Sequence, residues 1–256
     1  MTIDCSSNWQ EIYHTAGPCI RPGGPVLTER ALEICSLPPG SRVADIGCGA
    51  GGTLEHLERT GVYRSVGLDY SEVLLGEAVS PLVPGRRLTR GRAEILPFKK
   101  GSFDAVFCEC VLSIITDRLS VLREFARVLK ETGFLILSDV FGQSNPKRGE
   151  PETKSQGLLR KKLLTKQDLL SVLTRLGFSP LLWEEHERLL KEFVARMILA
   201  GERLPDPWGC RPGQEKRKAN RPQMSYFLLV ARKSGAAFKS VANKGEGASW
   251  TIQSSR

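Results

Sequence analysis

The 256-residue chain is long enough for one ordinary domain with extra elements and a sizeable core. Its 37 basic and 28 acidic residues give a formal charge of +9, which raises nucleic acid as a partner, while seven cysteines without a C-x-x-C make no disulfide framework. No apolar run approaches the ~18 residues of a membrane span, and the polar start "MTIDCSSNWQEIYHTAG" lacks a signal peptide's basic head and apolar middle, so a cytosolic protein is expected.

In chain order, "YHTAGPCIRPGGPVLTERALEI" (13–34) places a Pro/Gly loop at Pro22, Gly23 and Gly24 before a helix that Thr28 is expected to cap. "RVADI" (42–46) is a strand, glycines follow at once, and Leu54 and Leu57 then stand at helical spacing. A second strand is expected over 63–70, a helix capped by Ser71 over 71–79, a weaker strand over 86–93 and a strong apolar one over 103–112. The segment 117–133 reads as a helix capped by Asp117, with Leu119, Leu122, Ala126 and Leu129 on one face and Gly133 ending it. A buried strand over 134–140 follows. Strands alternating with helices imply crossover units and a parallel sheet covered on both faces.

The end of the chain breaks that alternation: helix 165–177, strand 178–183, a long amphipathic helix 184–204 and a final strand 224–233. The segment 184–223 is placed to cap a site at the strand ends, with Trp183, Trp208, Phe193 and Met197 as lining candidates. Much of the basic excess lies at 145–164 and 211–222, read as solvated surface rather than an RNA track. Residues 234–256 are polar, small and without period, so a disordered tail is expected.

The glycine loop fits two patterns. Gly47, Gly49 and Gly52 satisfy G-x-G-x-x-G, whereas Asp45, Gly47, Gly49 and Gly51 satisfy D-x-G-x-G-x-G. Asp69, ending the second strand, suits ribose hydroxyls in either case. Asp45 discriminates, because a carboxylate two residues before the first glycine repels a pyrophosphate and attracts a cationic ligand such as a sulfonium.

"VADIGCGAGG", "GLDYS", "GRAEILPF", "FDAVFCECVLS" and "LREFARVLKETGFLILSDV" occur in the order seen in class I S-adenosylmethionine-dependent methyltransferases. The chain most resembles the small-molecule subgroup of type 11, as in ubiquinone and menaquinone biosynthesis. The likeness covers residues 40 to 141, and more loosely 163–178 and 226–233. It implies an α/β, Rossmann-like, doubly wound fold: a mostly parallel seven-stranded sheet with an antiparallel last strand and a helical cap insertion before it. It implies S-adenosyl-L-methionine as cofactor, with Asp45, Gly47, Cys48, Gly49 and Gly51 around the methionyl part, Asp69 and Tyr70 at the ribose, and Ala93, Glu94 and Cys108 completing the set. The family commonly has Asp where Arg92 stands, near the adenine amino group, so side-chain contact there is not carried over. The domain expected is 1–233, with a lid at 1–39 and a cap at 184–223.

Methyl transfer from a sulfonium is an in-line displacement that needs orientation and a dry pocket rather than a nucleophilic triad or a metal. Glu109, at the end of the fourth strand, is the candidate base or orienting group, with Tyr13 as a second catalytic candidate and Arg21 as a ligand for the methionyl carboxylate. Cys108 and Cys110, two apart on a strand, are expected to share a face; no metal is assigned to them. A small-molecule acceptor is the leading reading. "CECV" stands where base-modifying enzymes resemble D/N-P-P-Y/F, so nucleic acid is not the expected partner. An RNA or protein methyltransferase, a non-catalytic cofactor-binding protein and an NAD-linked oxidoreductase remain as alternatives.

Overall fold

A computed structural model describes residues 12–15, 17, 19–60, 62–79, 87–142, 164–202 and 224–234. Its elements are α1 (Val26–Cys35), β1 (Arg42–Ile46), α2 (Gly52–Arg59), β2 (Arg64–Asp69), α3 (Glu72–Ala78), β3 (Leu88–Arg90), β4 (Phe103–Glu109), α4 (Arg118–Val128), β5 (Leu129–Gly142), α5 (Lys166–Arg175), β6 (Phe178–Glu185), α6 (Glu187–Leu199) and β7 (Met224–Lys233). The seven strands form one sheet in the order β3-β2-β1-β4-β5-β7-β6. The first five are parallel, and β7 runs antiparallel to both β5 and β6. This is the expected Rossmann-like arrangement, with α6 before the last strand. Among the described residues no helix is long and apolar enough to cross a membrane.

The two faces of the sheet carry separate cores because side chains alternate along each strand. Val106, Leu135, Leu137, Phe227 and Leu229 face α4 and α5, with Leu122, Phe125, Leu169 and Leu173. Ala105, Phe107, Ile136, Tyr226 and Leu228 face α1 and α6, with Leu27, Ala31, Phe193 and Met197. Each large apolar side chain buried this way contributes about 1.5–3 kcal/mol. The site lies where β1, β2 and β4 end beneath the second core.

Several expectations are corrected. The helix expected over 117–133 stops at Val128, and Leu129 already pairs with Phe103 as strand. Gly133 therefore sits inside β5, and a bulge precedes it with Thr132 at φ 69°. The buried face of α4 is Val121, Leu122, Phe125 and Val128 rather than the row through Ala126. Asp117 and Ser71 do cap their helices, accepting from the Ser120 and Leu74 amides. Thr28 does not: α1 begins at Val26 behind Pro25, and Thr28 is buried within its first turn. β6 runs on to Glu185, so the following helix spans only Glu187–Leu199. Trp208, the basic segment 211–222, nearly all of 145–164 and residues 235–256 lie outside the described residues.

Candidate active site

β1 ends because Gly47 turns the chain at φ 81°, and its amide and that of Cys48 donate to the Leu68 carbonyl at 2.7 and 3.1 Å. A Cβ on Gly47 would lie 2.2 Å from Val111 Cγ2, so only glycine fits both the backbone angle and the space. Gly49 and Gly51 also have positive φ, and Gly51 starts α2. Asp69 bolts this loop to β2: Oδ2 accepts from the Gly49 amide at 2.8 Å and Oδ1 from the Ser71 amide at 2.8 Å. Burial raises the Asp69 carboxyl above its ordinary value, opposed by the Ser71, Gly49 and Tyr70 amides.

The loop walls a cavity of about 50 Å³ shared by Asp45, Arg21, Thr53 and Glu109. That is small against the ~300–1,000 Å³ of ordinary ligand sites, and the wall opposite the loop is Ile20 and Arg21. Arg21 is buried and spends its guanidinium on four partners. Nε donates to the Gly24 carbonyl at 3.1 Å, Nη1 to Thr53 Oγ1 at 2.7 Å, and Nη2 to Thr28 Oγ1 at 2.6 Å. Nη1 also lies 3.3 Å from Glu109 Oε2. Burial opposes the Arg21 charge, but Glu109 foremost among the neighbouring groups outweighs it, and the guanidinium pKa is raised.

Glu109 is buried too, and both its oxygens are engaged. Thr53 donates to Oε2 at 2.6 Å, while Thr28 and Ser138 reach Oε1 at 3.3 and 3.5 Å. Tyr226 from β7 extends the chain below, donating to Ser138 Oγ at 3.1 Å and lying 3.0 Å from Cys110 Sγ. Asp45, 2 % exposed, is pushed well above its ordinary pKa by burial, with Glu109 adding and Arg21 opposing.

The structure thus brings together Asp45, Gly47, Cys48, Gly49, Arg21 and Glu109, all lining one cavity. It leaves others apart. Tyr13, on a short helical turn over 12–15, stacks obliquely on His14 at 5.5 Å and is not part of the wall. Tyr70 is 63 % exposed, with the Arg92 guanidinium 5.9 Å from its ring centroid. Ala93 is buried, and the partly buried Glu94 pairs with Arg92 at 3.0 Å. Cys108 and Cys110 do not share a face, because Cys110 adopts φ 59° as the strand ends. Cys108 packs in the core under α4 and Cys110 in the core under α1. Burial pushes both thiols well above their ordinary pKa, and among the described residues no His, Cys, Asp and Glu cluster could hold a metal.

Thr28, Thr53, Ser138 and Tyr226 were missed by sequence reasoning. Thr53 carries the best signal, a hydroxyl directly after the glycines. A second buried carboxyl, Asp139, accepts from the Ser113 and Val140 amides. Burial raises it to about 6, opposed by those bonds and Arg118. Trp183 does not line an acceptor site; it stacks on Phe227 at 4.5 Å on the opposite face of the sheet.

Two carboxylates against one guanidinium in a cavity floored by glycine amides suit a ligand with a cationic centre near the loop, and disfavour a pyrophosphate there. Comparison with known proteins agrees. Residues 44–137 match the methyltransferase domain of type 11. The chain is 35% identical over 153 residues to an uncharacterized methyltransferase of Synechocystis, a match spanning 58% of this chain and 71% of that relative. Among solved structures, the [4+2]-cyclase SpnF superposes with a TM-score of 0.67 at 24% identity, covering 88% of this chain and 92% of that one. Phosphoethanolamine N-methyltransferase 2 of Haemonchus contortus, with S-adenosylhomocysteine bound, gives 0.65 at 19% identity over 87% and 56%. These two likenesses show the fold. The chain belongs to the class I S-adenosylmethionine-dependent methyltransferases, the class defined by S-adenosylmethionine as its cofactor.

Proposed function

We propose that the enzyme methylates a small molecule by in-line displacement, with the cofactor's methionyl end over Gly47–Gly51 beside Asp45 and its ribose at Asp69. The bound cofactor supplies an activated methyl group; the chain supplies orientation and exclusion of water. Asp69 spends one lone pair of each oxygen on the Gly49 and Ser71 amides, and an ionised carboxylate retains further acceptor sites for ribose hydroxyls. Arg21, which after its contacts to Gly24, Thr53, Thr28 and Glu109 keeps one Nη2 N–H of its five donors, offers that N–H to the methionyl carboxylate, and Glu109, whose oxygens are already engaged, acts as an orienting group rather than a base. The segments 1–39 and 184–223 serve as lid and cap, and Tyr70, Ala93 and Glu94 border the adenosine.

The observation that carries the small-molecule reading is a second cavity, of about 420 Å³, between the Gly23–Pro25 turn and α6. It is of the size that takes a small ligand and is open to solvent on one side. The test is methyl transfer from radiolabelled S-adenosylmethionine to three fractions: deproteinised small molecules, total RNA and total protein. Label in the first alone supports the proposal. Label in RNA or protein alone overturns it.

A further inference from the structure

This inference rests on the placement of the cofactor's methionyl end over Gly47–Gly51, and it concerns what holds that glycine turn in shape. The first glycine rests against Val111: a Cβ on Gly47 would meet Val111 Cγ2 at 2.2 Å and its Cβ and Cγ1 at 3.2 Å. Any shift of Val111 is therefore felt by the turn that lines the cavity.

Val111 belongs to the short turn after β4, and that turn is gripped from two elements. From β5, consecutive residues hold its two ends: the Ser138 carbonyl accepts from the Cys110 amide at 2.7 Å, and the Asp139 carboxylate accepts from the Ser113 amide at 2.9 Å. From α4, Arg118 donates through Nε to the Leu112 carbonyl at 2.6 Å and through Nη2 to the Ser113 carbonyl at 3.1 Å. The Val111 carbonyl accepts from the Ile114 amide at 3.2 Å and closes the turn.

The two charged members of this grip are 1% and 7% exposed, Asp139 and Arg118 respectively. Burying charge is costly, and Arg118 opens α4, where the helix macrodipole opposes a cation. Burial pulls the Arg118 pKa down and pushes that of Asp139 up, each opposed by the other's charge. Neutral hydroxyls or amides would hold so short a turn at lower cost. Two opposite charges spent on the backbone of one turn add a fixed position for it.

We propose that Asp139 and Arg118 are positioning residues of the cofactor site: they fix the turn 110–113 so that Val111 bears on Gly47 and keeps the glycine turn in the shape that receives the methionyl end. Neither lines the cavity, and both act through Val111. Because the charged groups sit on β5 and α4, they couple the packing of those elements to the far side of β4, where the cofactor loop lies.

Calorimetric titration of the full chain with S-adenosylhomocysteine reads the effect. The Asp139 carboxylate serves two amides, Ser113 and Val140, and Asp139→Asn offers a single oxygen in its place. That variant should bind about fivefold more weakly, the scale of coupling through a packed side chain. In a Val111→Ala background the same change should cost less than about twofold, because the side chain that carries it to Gly47 is gone. Arg118→Met loosens the turn from the other side and should show the same dependence on Val111, so the test stands even where Asp139→Asn does not fold. Phe178→Leu, a buried change at the start of β6, weakens the core away from this turn and should leave the affinity unaltered. An equal loss in both backgrounds, no loss in either grip variant, or a loss as large in Phe178→Leu would each overturn the inference. Affinity that ignores Asp69→Ala overturns the placement of the cofactor and the inference with it. Affinity that falls in Asp69→Ala and ignores both grip variants overturns the inference alone.

Discussion

Removing the Glu109 carboxylate with Glu109→Ala tests the buried network most severely. Arg21 and Glu109 side chains are 7% and 3% exposed, so solvent does little to screen the loss. The variant strands a guanidinium whose three remaining acceptors, Gly24, Thr53 and Thr28, are all neutral. It also frees the Thr53 hydroxyl that donates to Glu109. Breaking one side of a buried ion pair costs about 3–5 kcal/mol. Asp45, relieved of the Glu109 repulsion that now raises its pKa, takes over part of the compensation, so the expected loss is at the lower end, about 3 kcal/mol. Glu109→Gln keeps an acceptor for Thr53 and should cost less. Urea unfolding with unchanged slope measures both. A loss below about 1 kcal/mol for Glu109→Ala would show that the pair is not a structural unit.

Three further outcomes follow from the same geometry. Burial, with Glu109 adding to it, raises the Asp45 pKa well above the ordinary carboxylate range, so ionising it as the pH rises above that range strengthens its attraction for a sulfonium; cofactor affinity by calorimetry should climb with pH, and Asp45→Asn should flatten the profile. Asp139 holds its proton to about 6 while the unfolded chain releases it near 3.9, so unfolding free energy should fall as pH rises through that window. The fall is at most about 3 kcal/mol, and Asp139→Asn should remove it from the pH slope of stability measured by urea unfolding. Gly47→Ala should lower the melting temperature and abolish cofactor binding, with Val111→Ala relieving the 2.2 Å clash but not the strain at positive φ.

The strands of the site were legible because apolar runs bounded by glycine or by charge allow few alternatives. β1 and β7 fall at the expected residues. The end of α4 was not. Helical periodicity continues through Leu129, and only the pairing of Leu129 with Phe103, made across the sheet, pulls that residue into a strand. Cys110 failed for a local reason: alternation holds only while the backbone stays extended, and φ 59° rotates its side chain to the other face.

The cofactor loop could be read because its chemistry is contiguous, with Asp45, three glycines and Asp69 within 25 residues. The network around Glu109 is drawn from α1, α2, β4, β5 and β7, so no window of sequence contains it. Thr28 and Ser138 belong to different elements separated by 110 positions, and each reads alone as a cap or a strand residue. Their meaning comes from a buried carboxylate that needs hydroxyl donors.

The most direct measurement is calorimetric titration of the protein with S-adenosylmethionine, S-adenosylhomocysteine and NAD, repeated on Asp69→Ala. We expect micromolar-scale binding of the first two, none of NAD, and a loss of at least about tenfold in the variant. Binding of NAD in their place, or affinity for S-adenosylmethionine indifferent to Asp69, would contradict the placement of the cofactor on this loop.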